Sequence, residues 1–410
     1  MARIIFRNAA VFDGHQAHRL ENHSVVVEDG AIVELKAGDA SVAADAVIDV
    51  GGRTLMPGLI DLHTHPCLTH VVAAEAVVTR TEIVALSAAQ SMHRSLMSGF
   101  TTLRDAGGTD GIYLKALKAG LIEGPRLYPS GRFITMTGGH GDMRDPDMRY
   151  GTGCCGLLQD RFVSIADGPE EVRKAVREEI RSGATQIKIF VSGGVMSPTG
   201  RLDQLQYTEA EIRAAVETAE ASFSYVMAHC HPDNAIRRAA ECGVRTIEHC
   251  SFIKEDTAAL LVKLGTYAVP TLAVAHGLMK HAATLGLRQA NIDKMKGAFE
   301  PILGSMEVLK RAGVKVGLGT DVSGQLAPMQ TTEFTLRHEV FSSHEILVSG
   351  TSMAAEILRE PKLGVVAPGA HADLIVVDGD PLKDVRILDH SGGKVPLVMK
   401  AGHIHKNLLH

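Results

Sequence analysis

Between residues 57 and 360 the chain repeats one pattern, a short strand-like apolar run followed by a stretch with helical periodicity. The runs are LIDLHTH, TTLRDAG, RLYPSG, TQIKIFVSG, SYVMAH, RTIEHC, TYAVPTL and VKVGLGTD. The stretches between them include GPEEVRKAVREEIRSG, TEAEIRAAVETAE and PDNAIRRAAECG, the last closing on Gly243, where a helix C-terminus favours glycine. Strands alternating with helices need parallel pairing and crossover connections. Eight such units predict an α/β fold of the (β/α)8 TIM-barrel type, and a doubly wound sheet is the other solution to the same alternation.

The two ends have a different texture. Residues 1–56 read as short strands and turns, with Asp29-Gly30 as a hairpin-type turn, and residues 361–410 read alike through HADLIVVDGDPL and PLVMKAGHIHK. Neither end is long enough to stand as a domain. They are expected to pair as one composite small β-domain, 1–56 with 361–410, beside a catalytic barrel of residues 57–360. The net charge of −5, with no basic block, speaks against a nucleic-acid partner. The opening MARIIFRNAAVFDGHQ is too short and interrupted for a signal peptide, and no apolar run reaches membrane-spanning length, so a cytoplasmic protein without a membrane partner is expected. Its six cysteines lack CxxC spacing and read as free thiols, with Cys154 and Cys155 as packing residues.

Active sites of such barrels gather at the carboxyl ends of the strands. Here those ends carry metal-binding or ionisable residues. His63 and His65 stand two apart at the end of the first run, on one face of a strand, and later runs end at His229, His249 and Asp321. With 20 histidines in the chain, one pair would mean little. Lys188 lies between Ile187 and Ile189, where a charged ammonium is costly without a partner. It could pair with a carboxylate or serve as an uncharged nucleophile. With four histidines and an aspartate at strand ends, the better account is a carbamate formed with CO2, an anionic ligand able to bridge two ions. His63, His65 and Asp321 would then hold one divalent ion and His229 and His249 the other, with Lys188 and a hydroxide between them. Imidazole and carboxylate donors suit Zn2+.

These residues carry a resemblance to the amidohydrolase superfamily: PGLIDLHTH, IKIFVSGG, VMAHCH, TIEHC and GLGTD match its ligand motifs in order, and PGAHADLIVVDGDPL is similar to its closing β-segment. GGHGD, IADGPEEVRKAV and SGGVMSP resemble the branch of prolidase-like metallo-dipeptidases and carboxypeptidases that includes ochratoxinase-like amidases. The chain departs from the prolidase-like pattern at His231, where many members have tyrosine.

The resemblance implies a metal-dependent amidohydrolase that cleaves an amide-type C–N bond, with a dipeptide (Xaa-Pro-like) or N-acyl amino acid as the leading substrate. Non-peptide amides, phenylureas or carbamates are the alternative, and a non-catalytic scaffold is a third reading that the full ligand set disfavours. Metal coordination brings the pKa of water to roughly 7. Asp321 would act as general base and pass the proton to the departing nitrogen, while His231 or His140 assists in polarising the carbonyl. His140 lies in a glycine-rich loop running from Gly131 to about Gly168, expected to hang over the barrel mouth. Arg144, Arg149, Arg161 and Arg201 are candidate carboxylate clamps. The partner is a small-molecule substrate, and a homo-oligomer is expected.

Overall fold

The computed structural model describes residues 3–144, 161–197 and 200–409. Its parallel strands run in two arcs. Leu59–Thr64, Phe100–Asp105 and Arg126–Tyr128 form the first, and Phe133–Thr135, Ile187–Phe190, Val226–Pro232, Thr246–Phe252 and Tyr267–Val269 the second. The segment from Lys315 to Asp321 joins them. It bonds to Tyr267–Val269 through Ala268 N–H to Lys315 O and Gly317 N–H to Ala268 O, and to the first strand through Leu62 N–H to Leu318 O and Asp321 N–H to His63 O. Arg126–Tyr128 in one arc and Phe133–Thr135 in the other share the third position, so the eight strand positions of the expected (β/α)8 architecture are present.

Two local readings need correction. VKVGLGTD is bonded on both sides but forms only an isolated bridge at Val316, and Gly317 and Gly319 let it lie close against the first strand. A Cβ at Gly319 would lie 2.9 Å from His63 Cβ. The stretch read as one loop from Gly131 to Gly168 contains the strands Phe133–Thr135 and Val163–Ile165, which pair with each other in parallel. Three-residue strands are too short to show periodicity. Arg149, Cys154 and Cys155 fall outside the described residues.

Both ends of the chain contribute to a second, mixed sheet. Leu374–Val377 pairs antiparallel with Thr54–Pro57, which pairs in parallel with Ile4–Val11, itself antiparallel to Leu20–Glu28. Leu397–Lys400 and His403–Asn407 extend the sheet on the other side of Leu374–Val377. Thr54–Pro57 leads directly into the first barrel strand, so this sheet sets the position of His63 and His65. No helix of the described residues is long and apolar enough to cross a membrane.

Crossover helices cover the barrel with their apolar faces. Pro169–Arg181 starts with proline in its first turn and buries Val172, Ala175 and Val176, while Glu209–Glu220 starts from a capping box between Thr208 and Glu211. One buried ion pair ties the closing segment to the mouth. Glu333 accepts the N–H groups of Leu272 (2.9 Å) and Ala273 (2.7 Å) at the start of helix Leu272–His281. Arg337, 2.7 Å from Glu333, donates to the carbonyls of Pro270 and Gly317. Removing one partner of such a pair leaves the other charge buried and uncompensated. Glu333→Ala is expected to lower unfolding free energy by about 3–5 kcal/mol, measured by denaturant titration.

Candidate metal centre

All six ligands named from the sequence line one cleft at the carboxyl ends of the barrel strands, together with His140 and His231. The cleft encloses about 1250 Å³, part of it open to solvent. His63, Lys188, His229 and His249 are buried, and Asp321 is partly exposed.

Each candidate imidazole uses one ring nitrogen on a protein partner. His63 Nδ1 is 2.7 Å from Glu248 Oε2, His65 Nδ1 3.0 Å from Gly107 O, and His229 Nε2 3.1 Å from Gly193 O. Carbonyl and carboxylate oxygens only accept, so these three nitrogens carry the protons. In a neutral ring the opposite nitrogen then presents a lone pair, Nε2 at His63 and Nδ1 at His229. His249 Nδ1 is 2.8 Å from the Thr271 hydroxyl. Burial pushes His63, His229 and His249 well below the usual imidazole range, with neighbouring histidines and Lys188 adding to the shift.

These orientations test whether a metal fits. His63 Nε2 is fully buried and has no hydrogen-bond partner among the described residues. Asp321 Oδ1 lies 3.4 Å from it and 3.0 Å from His65 Nε2. A neutral His63 thus turns a lone pair toward a carboxylate oxygen, an arrangement that repels unless a cation lies between them. One donor atom each from His63, His249 and Asp321 falls within 4.8 Å of the others, a spacing one divalent ion can span. The donor set fits a metal ion. His249 sits between the two ligand groups drawn from the sequence, its ring centroid 5.0 Å from His63 and 4.5 Å from His229.

Lys188 is only 2% exposed and points into the barrel. Among the described residues it has no carboxylate within 4.0 Å, which removes the ion-pair reading. Burial lowers its pKa, and the more distant carboxylates of Glu248 and Asp321 oppose that shift.

His231 stacks on His249 with ring centroids 5.0 Å apart. Its Nδ1 is 2.7 Å from Ser251 Oγ, and its Nε2 has no hydrogen-bond partner among the described residues. Burial holds its pKa down to about 4, so the ring is neutral at pH 7. His140 Nδ1 is 2.6 Å from Ser197 Oγ, and its ring lies 4.5 Å from that of His229. Burial and His231 bring its pKa to about 3. Gly194 makes this approach possible, since a Cβ there would overlap the His140 ring.

Backbone strain accompanies the site. His249, Cys250 and Asp321 adopt left-handed φ values of 71°, 54° and 57°, rare for residues other than glycine. His249 pairs in register with Cys230, and Glu248 with His229. Strand parity alone would turn His249 away from the face shared by His229 and Glu248, and the left-handed turn brings it back into the cleft.

Sequence reasoning missed the groups that hold the ligands. Glu248 shares its carboxylate among His63, Thr246 and Arg104, whose guanidinium is 3.0 and 3.1 Å from the two carboxylate oxygens and whose Nε donates to Leu62 O. The signal was present in TIEHC, where a carboxylate directly precedes a ligand in a buried strand. The three arginine candidates among the described residues lie elsewhere: Arg144 pairs with Asp142, Arg161 donates to Thr79 O and Thr81 Oγ1, and Arg201 pairs with Asp203. None lines the cleft.

Comparison with known proteins gives the same picture. The amidohydrolase family model matches residues 54–405. A crystal structure of an amidohydrolase is 43% identical, with a TM-score of 0.97 and both chains fully covered. The crystal structure of a prolidase complexed with N-methylphosphonate-L-proline is 40% identical, with a TM-score of 0.96, over 99% of this chain and 100% of that one. Ochratoxinase from Aspergillus niger is 29% identical over 374 residues, 86% of this chain and 75% of its own.

The hydrogen bond from His63 to Glu248 can be tested directly. Groups that orient a metal-bound histidine typically contribute 10–100-fold to metal affinity. Glu248→Gln is expected to weaken metal binding by about that factor in equilibrium dialysis. A thermal melt on the same protein separates this from a loss of fold.

Proposed function

The chain belongs to the amidohydrolase family, metal-dependent hydrolases of C–N bonds, and on that premise we propose that it cleaves the amide of a dipeptide or N-acyl amino acid. The observation that carries the reading is the convergence of four histidines, a lysine and an aspartate in one cleft. The full-length likeness to a prolidase that binds a proline phosphonate supports the substrate class.

His63, His65 and Asp321 would hold one divalent ion and His229 and His249 the second, with Lys188 between them. Zn2+ suits this donor set. Lys188, buried without an ion-pair partner among the described residues, fits a carbamate: its neutral Nζ attacks CO2, an N–C bond forms, and the released proton passes to solvent. Ions bound there supply Lewis acidity that makes water a nucleophile near pH 7 and polarises the carbonyl. The residues do the rest. Asp321 accepts the proton of the attacking water and delivers it to the departing nitrogen, which must be protonated to leave. His231 offers Nε2–H to the oxyanion, because the Ser251 hydroxyl can donate to Nδ1 and thereby select that tautomer. His140 lies beside His229 as a second donor.

One observation favours non-peptide amides, phenylureas or carbamates instead: among the described residues no arginine lines the cleft to receive a substrate carboxylate. A screen of metal-loaded protein against dipeptides, N-acyl amino acids, anilides, phenylureas and carbamates decides between the two. Hydrolysis only of substrates bearing a free carboxylate supports the first, and turnover of neutral amides or ureas supports the second.

Lys188→Ala is expected to lose most bound metal and activity, with partial rescue by a short carboxylic acid. Full metal content and rate in that variant would remove the bridging role. Asp321→Asn should lower turnover by roughly 10²–10⁴ and change the pH–rate profile. His231→Ala should keep its metal while turnover falls about 10²–10³, and His231→Tyr should recover part of the rate. Metal analysis beside the kinetics tells a donor from a ligand.

A further inference from the structure

One flank of the cleft is apolar and is built mainly by two helices that contribute nothing to the donor set. Helices Leu272–His281 and Gln289–Ala312 bring Val274, Leu278, Met295 and Ile302 to it, and Val71 and Met196 meet them from the loops after the first and fourth strands. Leu278 and Met295 are buried at the base, while Val71, Met196 and Val274 pack on them from above, only partly covered. Among the described lining residues the lysine and carboxylate groups are Lys188 and Asp321, both in the candidate centre. An ionic group seated among Val274, Leu278, Met295 and Ile302 would lose its hydration where none of those four side chains can pair with it, whereas a hydrocarbon group would cover surface that otherwise faces water.

The flank is also joined to the chemistry. Asn291 Nδ2 donates to Val195 O at 2.6 Å, and Lys294 Nζ to Ser197 O at 3.2 Å. Ser197 Oγ is in turn the partner of His140 Nδ1. The helix that walls the flank thus fixes the loop that fixes His140.

We infer that one substituent of the scissile amide is a large uncharged hydrocarbon group, an aromatic ring or branched alkyl chain, seated against Val274, Leu278, Met295 and Ile302. This rests on the assignment of the cleft as an amide-hydrolase site, and it makes those four residues the specificity determinants of one side of the bond.

Two homologous series test it on metal-loaded protein: N-acylglycines lengthened from acetyl to octanoyl, and N-acetyl amino acids lengthened from alanine to 2-aminooctanoic acid. In one series kcat/KM should climb by about fourfold per methylene over the first several carbons, the factor expected for burying each group. Met295→Ala and Leu278→Ala should flatten that climb, with a loss of kcat/KM that grows with each added methylene. The same compounds are titrated calorimetrically into metal-loaded Asp321→Asn, where affinity should rise along the same series with a negative heat-capacity change. Affinity and kcat/KM that stay level or fall with chain length in both series would overturn the inference. Rising affinity without turnover would overturn the amide-hydrolase reading and leave the apolar flank standing, and turnover with level affinity would do the reverse.

Discussion

Glu248 never reaches the cleft surface, yet the geometry of the candidate centre depends on its carboxylate. It accepts from the Thr246 hydroxyl and from Arg104, and it fixes His63 by the Nδ1 hydrogen bond. A buried carboxylate and guanidinium are expensive to desolvate, and the pair is sustained because both ends are saturated: Arg104 also donates to Leu62 O and Thr246 Oγ1. Those bonds cross the barrel interior from the second strand to the first and sixth. The same contacts that hold three strands in register therefore select the tautomer of His63.

Arg104 and Lys188 both lie inside this barrel, and their surroundings differ. Arg104 is neutralised by Glu248, whereas Lys188 has no carboxylate within ion-pairing distance among the described residues, and its charged form is disfavoured by burial. An arginine could not have taken the second role, because a guanidinium stays protonated in a protein while a desolvated lysine can become a nucleophile. The imidazoles around it are also held neutral by burial. The centre is thus a set of lone pairs gathered with few protons to keep them apart, and the left-handed backbone at His249 and Asp321 shows that gathering them strains the chain.

The cleft around this centre has two characters. His140, His229, His231 and Ser251 gather on the side of the third to sixth strands beside the rings of Phe133 and Phe190, and aliphatic groups occupy the side of the two helices after the seventh strand. The polar side can act on a carbonyl and a proton. The apolar side can only exclude water and choose among substrates, which places selectivity on helices that carry none of the candidate metal ligands.

Much of this was legible in the amino-acid order. Strand-like runs separated by helical stretches predict the barrel because that alternation admits few architectures, and chemically similar residues at the ends of those runs predict one site because a barrel brings its strand ends together. His63 and His65 share a face by simple parity. Other features were decided only in three dimensions. His249 has the wrong parity for the cleft and enters it through a left-handed turn that no local pattern announces. Glu248 and Arg104 are separated by 144 residues and become partners only when the sheet curls. The candidate arginine clamps looked plausible as isolated cations, but Arg144, Arg161 and Arg201 are held by partners away from the cleft. Strand identity and ligand type follow from local periodicity and side-chain chemistry, which act over a few residues. The tautomer, the strained turn and the apolar flank follow from contacts between distant segments, which exist only once the chain has closed on itself.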